Sequence, residues 1–320
     1  PAHSNADLAE LVCSNSFRSG SPESAPGVLK QEMRDVNSLL MAAADATRIP
    51  AGKALAVNRD AFSRHVTEAL QSHPYVSLER KEIRTLNDPC LQGYDAVLIA
   101  AGPLASEPLV TDLLRHIGRQ DLYFYDAIAP IIDAASIDAA KTFWASRYNA
   151  EEADYLNCPM TENAYRAFHQ ALVEAERVPL RPFEKEVPFE GCLPVETLAE
   201  RGEKSLTFGP LKPVGLTDPR TGRRPFAVVQ LRPENSEKTM LNMVGFQTRL
   251  KYGAQERVFR MIPGLENAAF LRLGNMHRNT FVNAPETVTP HMELRAQPGI
   301  FMAGQLTGVE GYIESAACGL

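Results

Sequence analysis

The closing stretch of the chain, residues 298–320, constrains the fold more than any other segment. A short apolar run at 300–303 predicts a buried strand. Gly304, Gly308 and Gly311 follow, and then an alanine-containing stretch that predicts a helix. Backbone N–H groups and the helix dipole at such a turn favour negative charge or a polarised ring edge. Glycine lets a bulky ligand approach the backbone, so the pattern favours a ligand contact over a purely structural turn.

Composition places the chain among globular proteins with a sizeable core. Its 320 residues are 44% hydrophobic and 22% charged, which fits one large or two ordinary domains. No apolar run approaches the length of a membrane span, so we expect no membrane association. Five scattered cysteines favour a reducing compartment, and we expect the cytoplasm. The seven histidines and the cysteines show no metal-ligand spacing, and nothing in the sequence specifies an oligomeric state.

The charge of the chain is unevenly distributed. Its net charge is −6, yet residues 201–280 hold 14 Lys and Arg against 6 Asp and Glu. The rest of the chain holds 19 basic residues against 33 acidic ones. A local basic zone is compatible with a nucleic-acid face, but charge alone favours a basic surface that has no polyanion partner.

Hydrophobic periodicity predicts alternating helices and strands in the first third. Helical spacing covers 25–46, 59–73 and 106–117, whereas residues 75–79 alternate as a strand. The continuous apolar run at 96–100 predicts a buried parallel strand. Together these elements predict an α/β fold with a parallel sheet.

The middle of the chain differs in composition. Residues 178–240 are rich in proline and glycine and contain strand-like pieces such as 226–231. We therefore expect a second, smaller region inserted into the first. The boundaries predicted are 1–120 for the first part, 121–270 for the insertion and 271–320 for the second part.

Two cysteines occur in contexts that suit a reactive thiol. Cys13 lies in LVCSNSFRS, a loop or helix start where N–H dipoles and a cation would favour the thiolate. Cys192 lies between Gly191 and Leu193-Pro194, which suits a rigidly aimed nucleophile. An inert packed cysteine fits either position as well, and Cys158, also followed by proline, shares the local pattern of Cys192.

Two polar clusters are candidates for ligand contacts. His277, Arg278 and Asn279 follow a β-like run and offer planar and charged groups for a heteroaromatic or anionic ligand. The alternative is a hydrogen-bonded structural histidine. The turn PRTGRRP carries three guanidinium groups, and lysines lie near it in sequence, so it is either a phosphate contact or a solvated loop.

Long stretches of the chain resemble the TrmFO family of folate- and FAD-dependent tRNA (uracil-5-)-methyltransferases. The matching stretches run from one end of the chain to the other and include AELVCSNSFRS, ADYLNCPMT, FEKEVPFEGCLP, FAVVQLRPEN, RVFRMIPGLENA, GNMHRNTF and AGQLTGVEGYIESAA. The sister flavoproteins of the MnmG type share the AGQ…G…GY ending but not the rest.

The resemblance implies an α/β architecture: an incomplete Rossmann-like FAD-binding domain with an inserted smaller α+β domain. It implies transfer of a one-carbon unit from methylenetetrahydrofolate to C5 of the T-loop uridine of tRNA. Reduced FAD, recharged by NAD(P)H, would supply the reducing equivalents. The partners implied are therefore the T-arm of tRNA and a small-molecule folate.

The resemblance also assigns roles to residues. Cys192 matches the family's candidate nucleophile, and Cys13 matches a second functional cysteine close to the flavin. The FAD contacts carried over are Gly304, Gln305, Gly308, Val309 and Gly311. We expect the folate or substrate pocket to include His277, Arg278 and Asn279. We expect tRNA contacts from Arg220, Arg223, Arg224 and Lys251.

The chain departs from the family pattern at its ends. The family opens with a strand, a GxGxxG turn and an acidic residue, and this unit would precede Pro1. A further continuation would follow Leu320. We therefore expect the chain to be a piece of a longer protein that binds FAD poorly and is inactive without these segments. The alternative functions are an MnmG-like tRNA-modifying flavoprotein and a non-catalytic tRNA-binding protein.

Overall fold

The computed structural model describes residues 5–118, 122–147, 153–179 and 193–320, and its description of 122–127 and 276–279 is confined to the backbone. The helices are α1 (Ala25–Asp35), α2 (Leu39–Ala46), α3 (Arg59–Gln71), α4 (Glu107–Ile117), α5 (Glu162–Val173), α6 (Val195–Glu200), α7 (Ser205–Phe208), α8 (Tyr252–Phe259), α9 (Ala284–Thr287) and α10 (Tyr312–Cys318). The strands are β1 (Ser16–Ser19), β2 (Arg48–Ile49), β3 (Ala54–Val57), β4 (Val97–Ile99), β5 (Leu122–Ile128), β6 (Ile131–Asp133), β7 (Phe143–Trp144), β8 (Leu156–Met160), β9 (Ala227–Pro233), β10 (Met240–Met243), β11 (Phe270–Arg272), β12 (Asn275–Phe281) and β13 (Ile300–Met302).

Four sheets organise these elements. The largest has six strands in the order β11-β6-β10-β9-β8-β7 and is antiparallel throughout. A three-stranded sheet has the order β1-β3-β2, and β12 pairs antiparallel with β5. The strands β4 and β13 form a parallel pair, which joins segments about 200 residues apart in the chain.

The first helices pack on the small sheet and on α10. The predicted helix at 25–46 is two helices, because Asn37 adopts the left-handed conformation with φ 57° and ends α1. Met33 of α1 and Met41 of α2 still enter the same core, where Leu55 and Ile313 also lie. The break between α1 and α2 therefore changes the direction of the chain, while the apolar side chains of both helices still face one core.

The strand predicted at 75–79 is wrong. The segment is coil, and Tyr75 is 92% exposed. Alternation alone does not make a strand, because a strand needs a neighbour to accept its backbone hydrogen bonds.

The strand predicted at 96–100 is confirmed as β4, and its parallel pairing is confirmed by the register of Val97 with Ile300. The expected burial holds for only part of it, since Ile99 is buried and Leu98 is 55% exposed. The helix predicted at 106–117 is confirmed as α4, which begins after Ser106 and ends at Gly118.

The six-stranded sheet supports the largest core of the molecule. Its central strand β9 is buried at every position, which confirms the strand predicted at 226–231. Phe168 of α5 and Phe259 of α8 are fully buried and pack in the same cluster as Val229. Within the described parts of the chain, no helix is long and apolar enough to cross a membrane.

Candidate functional site

The loop that carries Cys13 is held by a tyrosine from the far end of the chain. The hydroxyl oxygen of Tyr312 accepts hydrogen bonds from the backbone N–H groups of Val12 at 3.0 Å and Cys13 at 3.1 Å. It also lies 3.2 Å from the sulfur of Cys13. Burial raises the pKa of Tyr312, so the phenol stays protonated. The loop and the N-terminus of α10 therefore form one hydrogen-bonded unit.

Three arginines surround the same loop. Arg59 donates to the backbone oxygen of Leu11, and Arg272 donates to that of Val12. Arg232 donates to the hydroxyl of Ser14 at 3.0 Å. The cation within the motif LVCSNSFRS, Arg18, pairs with Glu314 at 3.2 Å, and the cations that bind the Cys13 loop come instead from α3, β9 and β11.

One carboxylate accompanies these cations. Glu234 is buried, and its carboxylate lies 2.9 Å from the guanidinium of Arg59. Burial lowers the pKa of Arg232, and the charges of Glu234 and Cys13 act in the opposite direction. The site is thus strongly cationic and largely shielded from water, which strengthens its electrostatics.

Asn15 fixes the loop to both parts of the fold. Its side-chain amide donates to the backbone oxygen of Val57 at 3.0 Å and to that of Pro233 at 3.2 Å. Val57 belongs to the small sheet and Pro233 to the central strand of the large one. The Cys13 loop therefore lies where the two sheets meet.

The glycine-rich turn has the predicted form. After β13 the chain makes a 3₁₀ turn over Gly304–Thr307, and α10 follows. Gly304, Gly308 and Gly311 have φ values of 74°, 85° and 99°, a region that disfavours residues with a Cβ. The strand, turn and helix predicted at 300–320 are confirmed, whereas the FAD contacts of this turn stay predictions.

The turn adjoins the strand that carries the predicted folate residues. The N–H of Val282, just after β12, donates to the backbone oxygen of Leu306 at 2.9 Å. A Cβ on Gly308 would lie 3.5 Å from the ring of Phe281. The backbone of β12 places His277 opposite Asp126 of β5. Arg278 and Asn279 follow in the same register, and the roles of all three stay predictions.

Cys192 lies outside the described residues. The chain on both sides of it is anchored to one segment: Val178 N–H donates to the oxygen of Arg249, and Val195 N–H donates to that of Gln247. The buried carboxylate of Glu196 accepts from the Thr248 hydroxyl and the Arg249 N–H, each at 2.8 Å. Burial raises the pKa of Glu196.

The segment that holds both sides of Cys192, residues 247–249, continues into α8, and α8 connects to β12. The side chain of Gln255 donates to the backbone oxygens of Leu250 and Gly274 and accepts from the N–H of Gly274. A cavity of about 300 Å³ opens at this junction. Its lining residues are Val178, Arg249, Leu250, Lys251, Tyr252, Gly274 and Asn275. The segments flanking Cys192 and the strand of His277 thus converge here.

The predicted tRNA contacts differ in their surroundings. Arg220 makes two hydrogen bonds to the carboxylate of Asp218, at 2.9 and 2.8 Å, and another to the oxygen of Ala140. Arg223 and Arg224 are exposed and line a cavity of about 530 Å³ together with Phe226. Lys251, at the other cavity, lies 3.3 Å from a carboxylate oxygen of the exposed Glu176. The tRNA roles stay predictions for all four.

Sequence reasoning missed the partners of Cys13. Tyr312 appeared only as part of the motif AGQLTGVEGYIESAA, with no indication that it contacts the loop. An available signal was Arg232, a charged residue within an apolar strand, because buried charges are rare without a partner.

Comparison with known proteins defines the class to which this fold belongs. A family model described as glucose inhibited division protein A matches residues 2–320. The crystal structure of Aquifex aeolicus GidA, form I, superposes with a TM-score of 0.71 at 15% identity. The alignment covers 98% of this chain and 58% of that one, so the chain spans somewhat more than half of the GidA chain. The predicted α/β fold class is confirmed.

Relatives with higher sequence identity define the family within this class. A protein of Oleidesulfovibrio alaskensis named methylenetetrahydrofolate–tRNA-(uracil-5-)-methyltransferase TrmFO is 61% identical over all of this chain and 72% of its own length. A protein of the same name from Enterococcus faecalis is 55% identical, again over 72% of its length. The chain belongs to the TrmFO family, as its motifs predicted.

Proposed function

We propose that the chain acts in a flavoenzyme that methylates C5 of a tRNA uridine, with methylenetetrahydrofolate as the carbon donor. The observation that carries the proposal is the 61% identity to a protein named for this reaction, over the whole chain. The geometry agrees with it, because Cys13 meets the glycine-rich turn through Tyr312. Residues 1–120 and 271–320 would form the FAD-binding part and 121–270 the inserted part.

The residues of the turn fit a flavin. Gly304, Gly308 and Gly311 present backbone without side chains at a place where β12 and α10 also meet. At Gly311 an added Cβ would meet the carboxylate of Glu314, and the φ of 99° disfavours any residue with a Cβ at this position. Gln305 and Val309 complete the proposed contacts. When bound and reduced, FAD would supply the reducing equivalents, with NAD(P)H as their source.

The reaction requires an activated pyrimidine. Uracil C5 is a poor nucleophile, but addition of a thiolate to C6 gives an enolate that can attack a methylene carbon. Loss of the C5 proton and cleavage of the bond between the methylene carbon and its carrier nitrogen would leave an exocyclic methylene group at C5. A hydride, for which reduced FAD would be the source, would convert this group to methyl as the thiolate leaves C6 and the ring double bond re-forms. We assign the addition to Cys192, and to Cys13 a role as acid, base or thiol partner beside the flavin.

The remaining contacts follow from position and charge. His277, Arg278 and Asn279 lie on β12, the strand whose far end adjoins the glycine turn through Val282, so we place the folate along this strand. Arg223, Arg224 and Lys251 lie in the basic segment 201–280, and we assign these three side chains to contacts with the T-arm of tRNA. We assign Arg220 to supporting the turn that carries Arg223 and Arg224. The compartment proposed for this reaction on tRNA is the cytoplasm.

Replacement of single cysteines tests the proposal. Cys192→Ala should abolish methylation of unmodified tRNA while leaving tRNA binding intact. Cys158→Ala is the matched control, because Cys158 is fully buried and burial raises the pKa of its thiol. Labelled methylenetetrahydrofolate measures the transfer, and filter binding measures the tRNA complex.

Two outcomes would count against the proposal. If methylation survives in the Cys192→Ala variant, Cys192 is not the nucleophile. A wild-type protein that binds tRNA but consumes no folate favours the non-catalytic alternative.

A further inference from the structure

The cations around Cys13 exceed the carboxylates that face it. Arg59 approaches from α3, Arg232 from β9 and Arg272 from β11, and among the side chains that the structure describes, Glu234 is the carboxylate whose charge acts on Arg232 and Arg272. Glu234 pairs with Arg59 at 2.9 Å. Arg232 and Arg272 are left as two cations, and burial lowers the pKa of each. Buried cations in excess favour a nearby anion.

These two arginines hold the neighbours of Cys13 on either side. Arg272 donates to the backbone oxygen of Val12, and Arg232 donates to the hydroxyl of Ser14 at 3.0 Å. Cys13 lies between these two bonded residues, and its charge acts to raise the pKa of both arginines, against the effect of burial. Cys13 is therefore the residue on which the two positive charges converge.

The hydroxyl of Tyr312 adds a directional donor. Two backbone N–H groups, those of Val12 and Cys13, approach the phenolic oxygen and occupy its lone pairs. The O–H hydrogen is then available to the sulfur of Cys13 at 3.2 Å. A sulfur that receives a hydrogen bond is stabilised more as the thiolate than as the thiol.

We propose that Arg232 and Arg272 are positioning residues that hold the sulfur of Cys13 as a thiolate at neutral pH. The sulfur proton passes to water, and the two guanidiniums balance the charge that remains. The use of this thiolate beside the flavin rests on the proposed function. The charge state itself does not, because it is argued from the arginines and Tyr312 without reference to tRNA, folate or flavin.

The pH dependence of alkylation tests the charge state. Iodoacetamide reacts with the purified protein across pH 5–10, and mass spectrometry of the Cys13 peptide gives the rate. The titration midpoint should lie below the ordinary value for cysteine, about 8.5. Arg232→Met and Arg272→Met should each raise the midpoint by about one pH unit or more, whereas Arg232→Lys and Arg272→Lys should retain most of the effect.

The midpoint is the readout because the rate at a single pH also depends on the intrinsic nucleophilicity of the thiolate. Circular dichroism checks that each variant is folded. A wild-type midpoint at or above about 8.5 overturns the proposal even if the methionine variants do not fold. So does an unchanged midpoint in both folded methionine variants. The assay uses neither tRNA nor folate, so its failure is distinct from a failure of the methyltransferase proposal.

Discussion

The phenolic oxygen of Tyr312 lies 3.2 Å from the sulfur of Cys13, although the two residues are 299 positions apart in the chain. The contact is built on a shared core, because the ring of Tyr312 packs edge-on against Phe17 and its neighbour Ile313 is buried beside Leu55. A short loop near one end and a short helix near the other are thereby fixed together. This unit joins the glycine-rich turn to the loop of Cys13.

Tyr312→Phe should lower the free energy of unfolding by about 1–3 kcal/mol, because it leaves two partly buried N–H groups without their acceptor. Urea denaturation at neutral pH measures the change. Tyr94→Phe is the control, since Tyr94 is 70% exposed and its replacement should change stability by less than about 0.5 kcal/mol. Equal effects of the two substitutions would show that the hydroxyl of Tyr312 contributes nothing to stability.

Gly274→Ala should destabilise the junction at the start of β12. The added methyl group would lie 2.5 Å from Thr248 Cγ2 and 2.7 Å from the backbone oxygen of Ile128. Such overpacking costs about 1–3 kcal/mol. Gly253→Ala should raise stability by up to about 1 kcal/mol, because Gly253 is helical and has open space around it. Thermal unfolding should show opposite shifts in melting temperature, and a shift of the same sign for both contradicts the packing argument.

Asp112 should make stability depend on pH in the acid range. Its carboxylate accepts from the Leu86 N–H at 2.8 Å and the Thr85 hydroxyl at 2.9 Å. The Leu86 bond is the main cause of its lowered pKa. The unfolded state then binds more protons, so the contribution is present above about pH 4 and is lost as pH falls through the folded pKa.

Asp112→Asn should therefore cost about 1–2 kcal/mol at pH 7 and progressively less towards pH 3. Urea denaturation of both proteins at several pH values measures the difference. A difference that stays constant from pH 7 to pH 3 would rule out this origin.

Arg223 and Arg224 should contribute to tRNA binding through charge. Replacing both with alanine should weaken binding and reduce the slope of log K against log salt by about 1–2, because each phosphate contact contributes slightly less than one to that slope. Arg220→Ala should leave the slope unchanged and destabilise the turn, since its guanidinium is bound by Asp218. Salt titrations of tRNA affinity make the comparison. If Arg220→Ala reduced the slope as much as the double replacement does, the side chain of Arg220 would contact RNA phosphate instead of only supporting the turn.

Local patterns predicted local structure well. The apolar run, glycines and helix at 300–318 were predictable because strand, turn and helix depend on residues close in sequence. The helix α4 was predictable for the same reason. The strand expected at 75–79 failed because strand formation depends on a partner that local spacing does not specify. The break at Asn37 was missed because the helical stripe continues on both sides of it.

The sequence alone determined the family, since its motifs extend along the whole chain and depend only on the identity and order of residues. It also determined the glycine-rich turn, because only glycine adopts such conformations easily. Tertiary structure decided what surrounds Cys13. Arg59 and Glu234 form an ion pair across 175 positions, at the place where the end of β9 meets the Cys13 loop through the bond from Asn15 to Pro233. Which distant segments meet is a property of the folded chain as a whole, so a local pattern such as the charged Arg232 in an apolar strand could not say that this charge faces the Cys13 loop.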